Sequence, residues 1–416
     1  MLEPRVLILT GSLSSQISGG MGVAAAQIAK HLSAITSVQL IKSGNENEPF
    51  IKNTHIINAS SPAKQIVSYS IFPADNKETI HYDFLISPYK TDEYHKTKQV
   101  TNAGNSILEV IETIAPTYLE EVAFYNQKII ELAQTLSFDI IYCHDWTTFQ
   151  AGISLKLHTG KKLILHIHSL ETDRKPDNKN VNIYYLERKA MDYADAIITV
   201  SNYTKALICK NYEIYPGKIN VVYNALQEGT EDRKQKTGTK NRALNVLFMG
   251  RLTRQKGIDN FISIAELIYQ DFPEVQFIIA GEGELLNEIE GRVENSIVVD
   301  NINLLGYLNS EEKNNLLAIT DIFCMPSESE PFGLSALEAA AAGIPCVVSR
   351  QSGISEVLQS ALKIDFSDVT GFVIAISSLL ESESLRKTIS EKQLSEIKEL
   401  SWGKATEKIK GIMTVV

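Results

Sequence analysis

This 416-residue chain has no cysteine framework, no apolar run of membrane length and no excess of positive charge. Its four cysteines, Cys143, Cys209, Cys324 and Cys346, lie far apart with no CxxC pair. They read as buried apolar side chains in a reducing compartment, not as bridges. No apolar stretch approaches the ~18 residues that cross a bilayer, and none pairs a basic face with an apolar one. The opening MLEPRVLILTGS has no basic region ahead of an apolar core and cleavage site, so it reads as a first strand and not a signal. The expectation is a soluble, cytoplasmic protein without membrane association. A formal net charge of −10 repels phosphate backbones, which excludes nucleic acid as a partner. Repeats of solenoid period and low-complexity tracts are also missing.

With 44% hydrophobic and 22% charged residues the composition is globular, and the length suits two domains, each large enough for a core of its own. Short β-branched runs alternate with helical patterns, the mark of parallel sheets with crossover helices, so the class is α/β. Strands are expected at Val6–Leu9, Val38–Ile41, Ile140–Cys143, Lys162–His166, Ala196–Val200 and Asn220–Val222. A second series begins at Asn245–Met249 and continues through Val275–Ala280, Asn303–Leu305, Asp321–Met325 and Pro345–Val348. Between the two series, QEGTEDRKQKTGTKNR offers nothing to a core and reads as a linker, 226–242. The expected organisation is two doubly wound, Rossmann-like domains, 1–225 and 243–399, facing each other across a cleft, with ligands beyond the carboxyl ends of the strands. The stretch Asn45–Gly104 is less regular.

Four segments carry chemistry. Ser18-Gly19-Gly20-Met21-Gly22 follows the first strand as a loop opening a helix, where glycines admit close backbone approach and a helix start attracts an anion. Gly20, Gly22 and Ala25 formally match G-x-G-x-x-A, but the second strand ends in Lys42 where a dinucleotide site wants an acid. His144-Asp145-Trp146 stands at the carboxyl end of a strand, as do His166 and His168, which share one face of theirs. A metal needs a third ligand at diagnostic spacing, and the sequence shows none beside that pair. Arg251 and Lys256 bracket a short loop ending at a helix start, a place suited to a diphosphate. Finally, Glu330-Pro331-Phe332-Gly333-Leu334-Ser335 leads into a helix that carries Glu338. The amides of Gly333, Leu334 and Ser335 suit phosphate oxygens, and the two carboxylates suit sugar hydroxyls. Solvated charge for Arg251 and Lys256, first-turn dipole stabilisation for Glu338 and a core hydrogen bond for the histidines remain the plainer readings.

Over IIYCHDWTTFQAGI, LILHIHSLETDR, ADAIITVSNYTKALI, VVYNAL, VLFMGRLTRQKGID and MPSESEPFGLSALEAAAAGIPCVVSRQSGISEVL the chain resembles the retaining, nucleotide-sugar-dependent glycosyltransferases of family 4 and the related glycogen synthases. The Glu330-to-Glu338 spacing is similar to that family's E-x7-E motif. The resemblance implies a GT-B architecture, with the donor held mainly by the second domain, the acceptor by the first, and a C-terminal helix, 400–416, crossing back. It implies that Arg251 and Lys256 neutralise the leaving diphosphate, that Gly333, Leu334 and Ser335 support its oxygens, that Glu338 takes the ribose and that Glu330 takes the donor sugar. Gly20 and Gly22 would close over the diphosphate, Asn224 would face the cleft from the hinge, and Gly281 and Glu282 would lie by the base. His144 matches the active-site histidine; Asp145 and His168 are the candidate acceptor contacts.

The function so implied is transfer of a hexose, glucose first, from an ADP- or UDP-linked donor to an α-glucan or other carbohydrate. No cofactor or metal is implied, because the sequence has no Asp-x-Asp motif and two cations stand in the place of one. The alternatives are a sugar-nucleotide epimerase of the same architecture, an NAD-dependent oxidoreductase resting on G-x-G-x-x-A alone, and a degenerate sugar-binding protein.

Overall fold

The computed structural model describes residues 4–13, 15–43, 55–58, 118–175, 178–226 and 242–416. Among them lie thirteen strands in two wholly parallel sheets. In the first unit these are β1 Arg5–Leu9, β2 Ser37–Lys42, β3 His55–Asn58, β4 Ile140–His144, β5 Lys162–Ile167, β6 Ala196–Thr199 and β7 Ile219–Val221. In the second they are β8 Asn245–Met249, β9 Gln276–Ala280, β10 Ile302–Leu304, β11 Ile322–Met325, β12 Cys346–Ser349 and β13 Leu362–Ile364. The orders are β3-β2-β1-β4-β5-β6-β7 and β10-β9-β8-β11-β12-β13. Each sheet winds outwards in both directions from its first strand, so the order reverses between β1 and β4 and again between β8 and β11. Crevices open at those two points, beyond the carboxyl ends.

The central strands are mostly apolar because both of their faces are covered. Leu7, Leu9, Ile141, Cys143, Leu163 and Leu165 pack into one core of the first unit, while Val6, Ile8, Ile140, Tyr142 and Ile164 pack into the core on the opposite face. Val246 and Phe248 against Leu247 do the same in the second unit. The last helix, Trp402–Val415, lies on the first unit: Trp402, Ala405, Ile409 and Met413 share a core with Ala24, Ile28 and Val38, and the Lys410 ammonium donates to the Ile35 carbonyl at 2.6 Å. No helix among the described residues is long and apolar enough to cross a membrane.

Expected strands fall on observed ones, with Asn220–Val222, Asn303–Leu305 and Pro345–Val348 each shifted by one residue. Two strands went unexpected: β13, only three residues long at a sheet edge, and β3, which sits in the irregular Asn45–Gly104 stretch. The rest of that stretch, and all but the ends of the expected linker, lie outside the described residues. The glycine run does open a helix, but with helical backbone on both sides of it: Ser15–Leu32 is two helical pieces that meet at Gly19, whose φ 54° and ψ −139° are not helical. A glycine reaches that backbone region without the steric cost of a Cβ, so the longer piece starts just after it where a plain loop was expected to lead in.

Candidate active site

In the second unit the site is built by turns pressed backbone to backbone. After β8, the Gly250 amide donates to the Ala280 carbonyl at 3.0 Å and the Leu252 amide to the Glu282 carbonyl at 2.9 Å, strapping the Gly250–Leu252 turn to Gly281–Glu282–Gly283. Only glycine fits there: a Cβ on Gly281, at φ +143°, would stand 1.8 Å from the Gly250 oxygen. The chain then makes a 3-10 turn, Arg254–Lys256, and reaches Gly257 at φ +70°, where a Cβ would meet the Pro326 oxygen at 2.0 Å. That close seat puts the loop after β8 onto the loop after β11. The Gln255 carbonyl accepts from the Glu328 amide at 2.9 Å, and the Lys256 ammonium donates to Glu330 Oε2 at 2.5 Å. Arg251 stands half-buried at the mouth of β8.

Glu330 is buried, and its backbone is held from both sides: its amide donates to Gln351 and its carbonyl accepts from Gly353, each at 2.9 Å. Gly333, at φ +108°, turns the chain into the helix Leu334–Ala341, whose leading amides have no acceptors within the helix. One turn on, Glu338 accepts from the Lys313 ammonium at 2.5 Å through Oε1. Each carboxylate of the E-x7-E spacing is thus held by one lysine.

The first unit contributes histidines. His144 ends β4 opposite His166 of β5, and His168 follows β5. His144 Nδ1 and His168 Nε2 lie 2.8 Å apart and share a proton; Tyr142 Oη and His166 Nδ1 lie 2.7 Å apart. Burial pushes all three imidazoles below the ordinary histidine range, His168 to about 3, with His168 also lowering both its neighbours as a like charge. The third imidazole that the sequence did not show beside His166 and His168 is His144, and the three place ring nitrogens within 4.8 Å of one another. Their planes are nearly parallel, however, with centroids 4.2 to 5.3 Å apart and interplanar angles of 16 to 23°. His144 and His168 meet edge to edge, each turning a ring nitrogen to the other, so the three imidazoles form a hydrogen-bonded cluster.

Asp145 turns the chain after β4 at φ 55°, a strained value for a non-glycine residue. Its Oδ1 accepts from the His168 amide at 2.7 Å, and burial raises its carboxyl to about 7. Asp145 and His168, expected at the acceptor, are both buried and bonded within the first unit. Asn224 is buried in the stretch leaving β7; Gly22 is buried in its helix, whereas Gly20 is exposed. A Cβ on Gly20 would stand 3.1 Å from Leu334 Cδ1, so the helix after β1 and the helix after β11 approach each other across the crevice.

Further bonds join the units beside Glu330. Ser329 Oγ donates to Asp173 Oδ1 at 2.8 Å, Tyr203 Oη donates to Ser329 Oγ at 3.1 Å, and Ser201 Oγ donates to the Pro331 carbonyl at 2.6 Å. Glu356 accepts from the Tyr203 amide at 2.5 Å and from Tyr223 Oη at 2.9 Å. Burial raises the Asp173 carboxyl to about 6. Asp173, Tyr203, Lys313 and Glu356 were not singled out from the sequence. Nothing in their spacing marks them, since each is defined by a partner on a distant segment.

Two crevices at sheet switch points face one another in a two-domain α/β fold, the second of them lined by cations, carboxylates and helix-start amides. Residues 229–395 match the model of glycosyl transferases group 1, and residues 94–227 match that of glycosyltransferase family 4. An uncharacterised glycosyltransferase of Methanocaldococcus jannaschii is 31% identical over 300 residues, covering 67% of this chain and 74% of that protein. The glycogen synthase of Mycobacterium tuberculosis is 27% identical over 58% of this chain and 60% of its own length. An Escherichia coli UDP-Gal:α-D-GlcNAc-diphosphoundecaprenol α-1,3-galactosyltransferase is 26% identical over 62% and 70%. Among solved structures, a sucrose-phosphate synthase from Thermosynechococcus elongatus superposes with TM-score 0.75 at 15% identity, covering 99% of this chain and 98% of that one. Anabaena HepE in complex with UDP and glucose superposes with TM-score 0.69 at 15% identity, covering 99% and 100%. The chain belongs to the family 4, group 1 glycosyltransferases, and its fold is GT-B.

Proposed function

We propose that this glycosyltransferase is a retaining enzyme that moves a hexose, glucose first, from an ADP- or UDP-linked donor to a carbohydrate acceptor, an α-glucan in the first instance. The observation that carries the reading is the Lys256–Glu330 contact at 2.5 Å, which sets a cation for the diphosphate beside a carboxylate for the sugar, with Arg251 on the same short loop. Cleaving a sugar–phosphate bond builds negative charge on the departing diphosphate. Arg251, Lys256 and the Gly333, Leu334 and Ser335 amides are placed before reaction to receive it, which lowers the barrier without reorganisation and without a general acid. Glu330 orients the sugar through its hydroxyls and Glu338 takes the ribose. Gly281 and Glu282 flank the base, Gly20 and Gly22 admit the diphosphate from the first unit, and Asn224 closes the hinge side.

The neutral His144–His168 pair stands at the reacting centre as a hydrogen-bonding group, since burial withholds a charge from it. Substitution then runs on one face of the sugar, with the acceptor's proton passing to the leaving phosphate oxygen and configuration retained. Support for glucose comes from the glycogen synthase relative and from HepE, a structural neighbour solved in complex with UDP and glucose.

The test is incubation with ADP-, UDP- and GDP-linked hexoses, with and without glycogen, maltooligosaccharides and simple sugars, following nucleoside diphosphate release. Release that requires glycogen or a maltooligosaccharide supports the reading. Acceptor-independent isomerisation of the sugar identifies an epimerase instead, and intact donors in every arm refute transfer.

A further inference from the structure

The lysine opposite Glu338 does not belong to the motifs from which the site was read. Lys313 lies on the helix Ser310–Ile319, whose start is set by Asn309: its side chain accepts from the Glu311 and Glu312 amides at 2.9 and 3.0 Å, and Glu312 returns a bond to the Asn309 amide at 2.9 Å. This cap fixes where the helix begins and therefore which face Lys313 presents. Its ammonium reaches Glu338 Oε1 at 2.5 Å, with both side chains about three-quarters covered.

We infer that Lys313 is a positioning and specificity-determining residue for the nucleotide: it fixes the rotation of the Glu338 carboxylate so that the donor's ribose hydroxyls meet an oriented acceptor. The inference rests on the reading of Glu338 as the ribose contact. A carboxylate offers roughly four lone-pair sites over two oxygens, so it accepts from lysine and from hydroxyls together. An unpinned glutamate would have to give up side-chain rotamers on binding, whereas one already bonded loses less. The matching lysine at the other end of the motif, Lys256, faces the diphosphate and has a charge to neutralise there. Lys313 meets no proposed phosphate group, so its effect falls on selection of the sugar ring of the nucleotide and not on turnover.

The experiment is isothermal titration of the full chain with UDP and ADP and with their 2′-deoxy and 3′-deoxy analogues. Wild type, Lys313→Met, Lys313→Arg and Glu338→Gln are compared, each checked for an unchanged melting curve. Wild type is expected to prefer the ribonucleotide about tenfold, the scale of a hydrogen bond to a charged group. Lys313→Met is expected to bring that ratio to about twofold or less while Lys313→Arg restores it. A Lys313→Met ratio equal to wild type, alongside a collapsed ratio in Glu338→Gln, overturns the inference and leaves the ribose reading standing. An undiminished ratio in Glu338→Gln, or no binding of either nucleotide, overturns the ribose reading and the inference with it.

Discussion

At the scale of single residues the site is governed by what burial does to charge. Three imidazoles sit buried against one another, and a positive charge on any one would face desolvation first of all. They are therefore neutral at neutral pH. A histidine whose folded pKa lies below its unfolded value stabilises the fold above the unfolded value, near 6.5, and that contribution is lost as pH falls toward the folded one, which for His168 is about 3. NMR of the imidazole C–H signals between pH 8 and 5 is expected to show no titration for His144, His166 and His168. A midpoint near 6 to 7 for any of them would contradict the stacked, desolvated arrangement. Asp145, raised to about 7, has the opposite sign: it favours the fold at low pH and that contribution fades as pH rises through 7.

Single residues were also where sequence reading stopped short. Arg251, Lys256, Glu330 and Glu338 were visible because their types and spacing state a chemistry. Asp173 and Lys313 were not, because each gains meaning only from Ser329 or Glu338 on another segment. His144 was read as one histidine beside a separate pair; the parallel register of β4 with β5 makes the three a stack.

At the scale of elements, the glycines after the strands decide the site's geometry. Gly257 needs its positive φ, and its missing Cβ lets Pro326 approach, which is what brings Lys256 to Glu330. Gly257→Ala is expected to cost more than about 2 kcal/mol, from left-handed backbone strain plus the clash. It should also weaken nucleoside diphosphate binding, because Lys256 is displaced. Chemical denaturation and titration with UDP or ADP check both parts; an alanine variant as stable as wild type would refute the close seat. The central strands were legible, since burial on both faces leaves short β-branched apolar runs that stand out between stretches of helical period. The kink at Gly19 was not. A glycine run after a strand reads equally well as a loop or as a broken helix, and the choice is made by packing of the following turns, with Met21, Ala24 and Ala25 buried in the first unit's core.

At the scale of the whole molecule, two sheets with the same winding place their switch points opposite each other. The last helix returns to the first unit's core, so the chain's end and its beginning share one packing surface. Ser329–Asp173, Ser201–Pro331 and Tyr203–Glu356 tie the units beside Glu330. The alternation of strand and helix made this architecture legible in the sequence. Which loops would touch was not, because that depends on the relative placement of two units separated by a polar stretch of chain.

The proposal that cations of the second unit hold the donor's diphosphate is tested most directly by titration of UDP and ADP into Arg251→Ala, Lys256→Ala and the double variant. Each single change is expected to weaken binding by about tenfold or more and the double change to abolish measurable binding, with the fold intact by circular dichroism. A double variant that binds either nucleotide as tightly as wild type would contradict it.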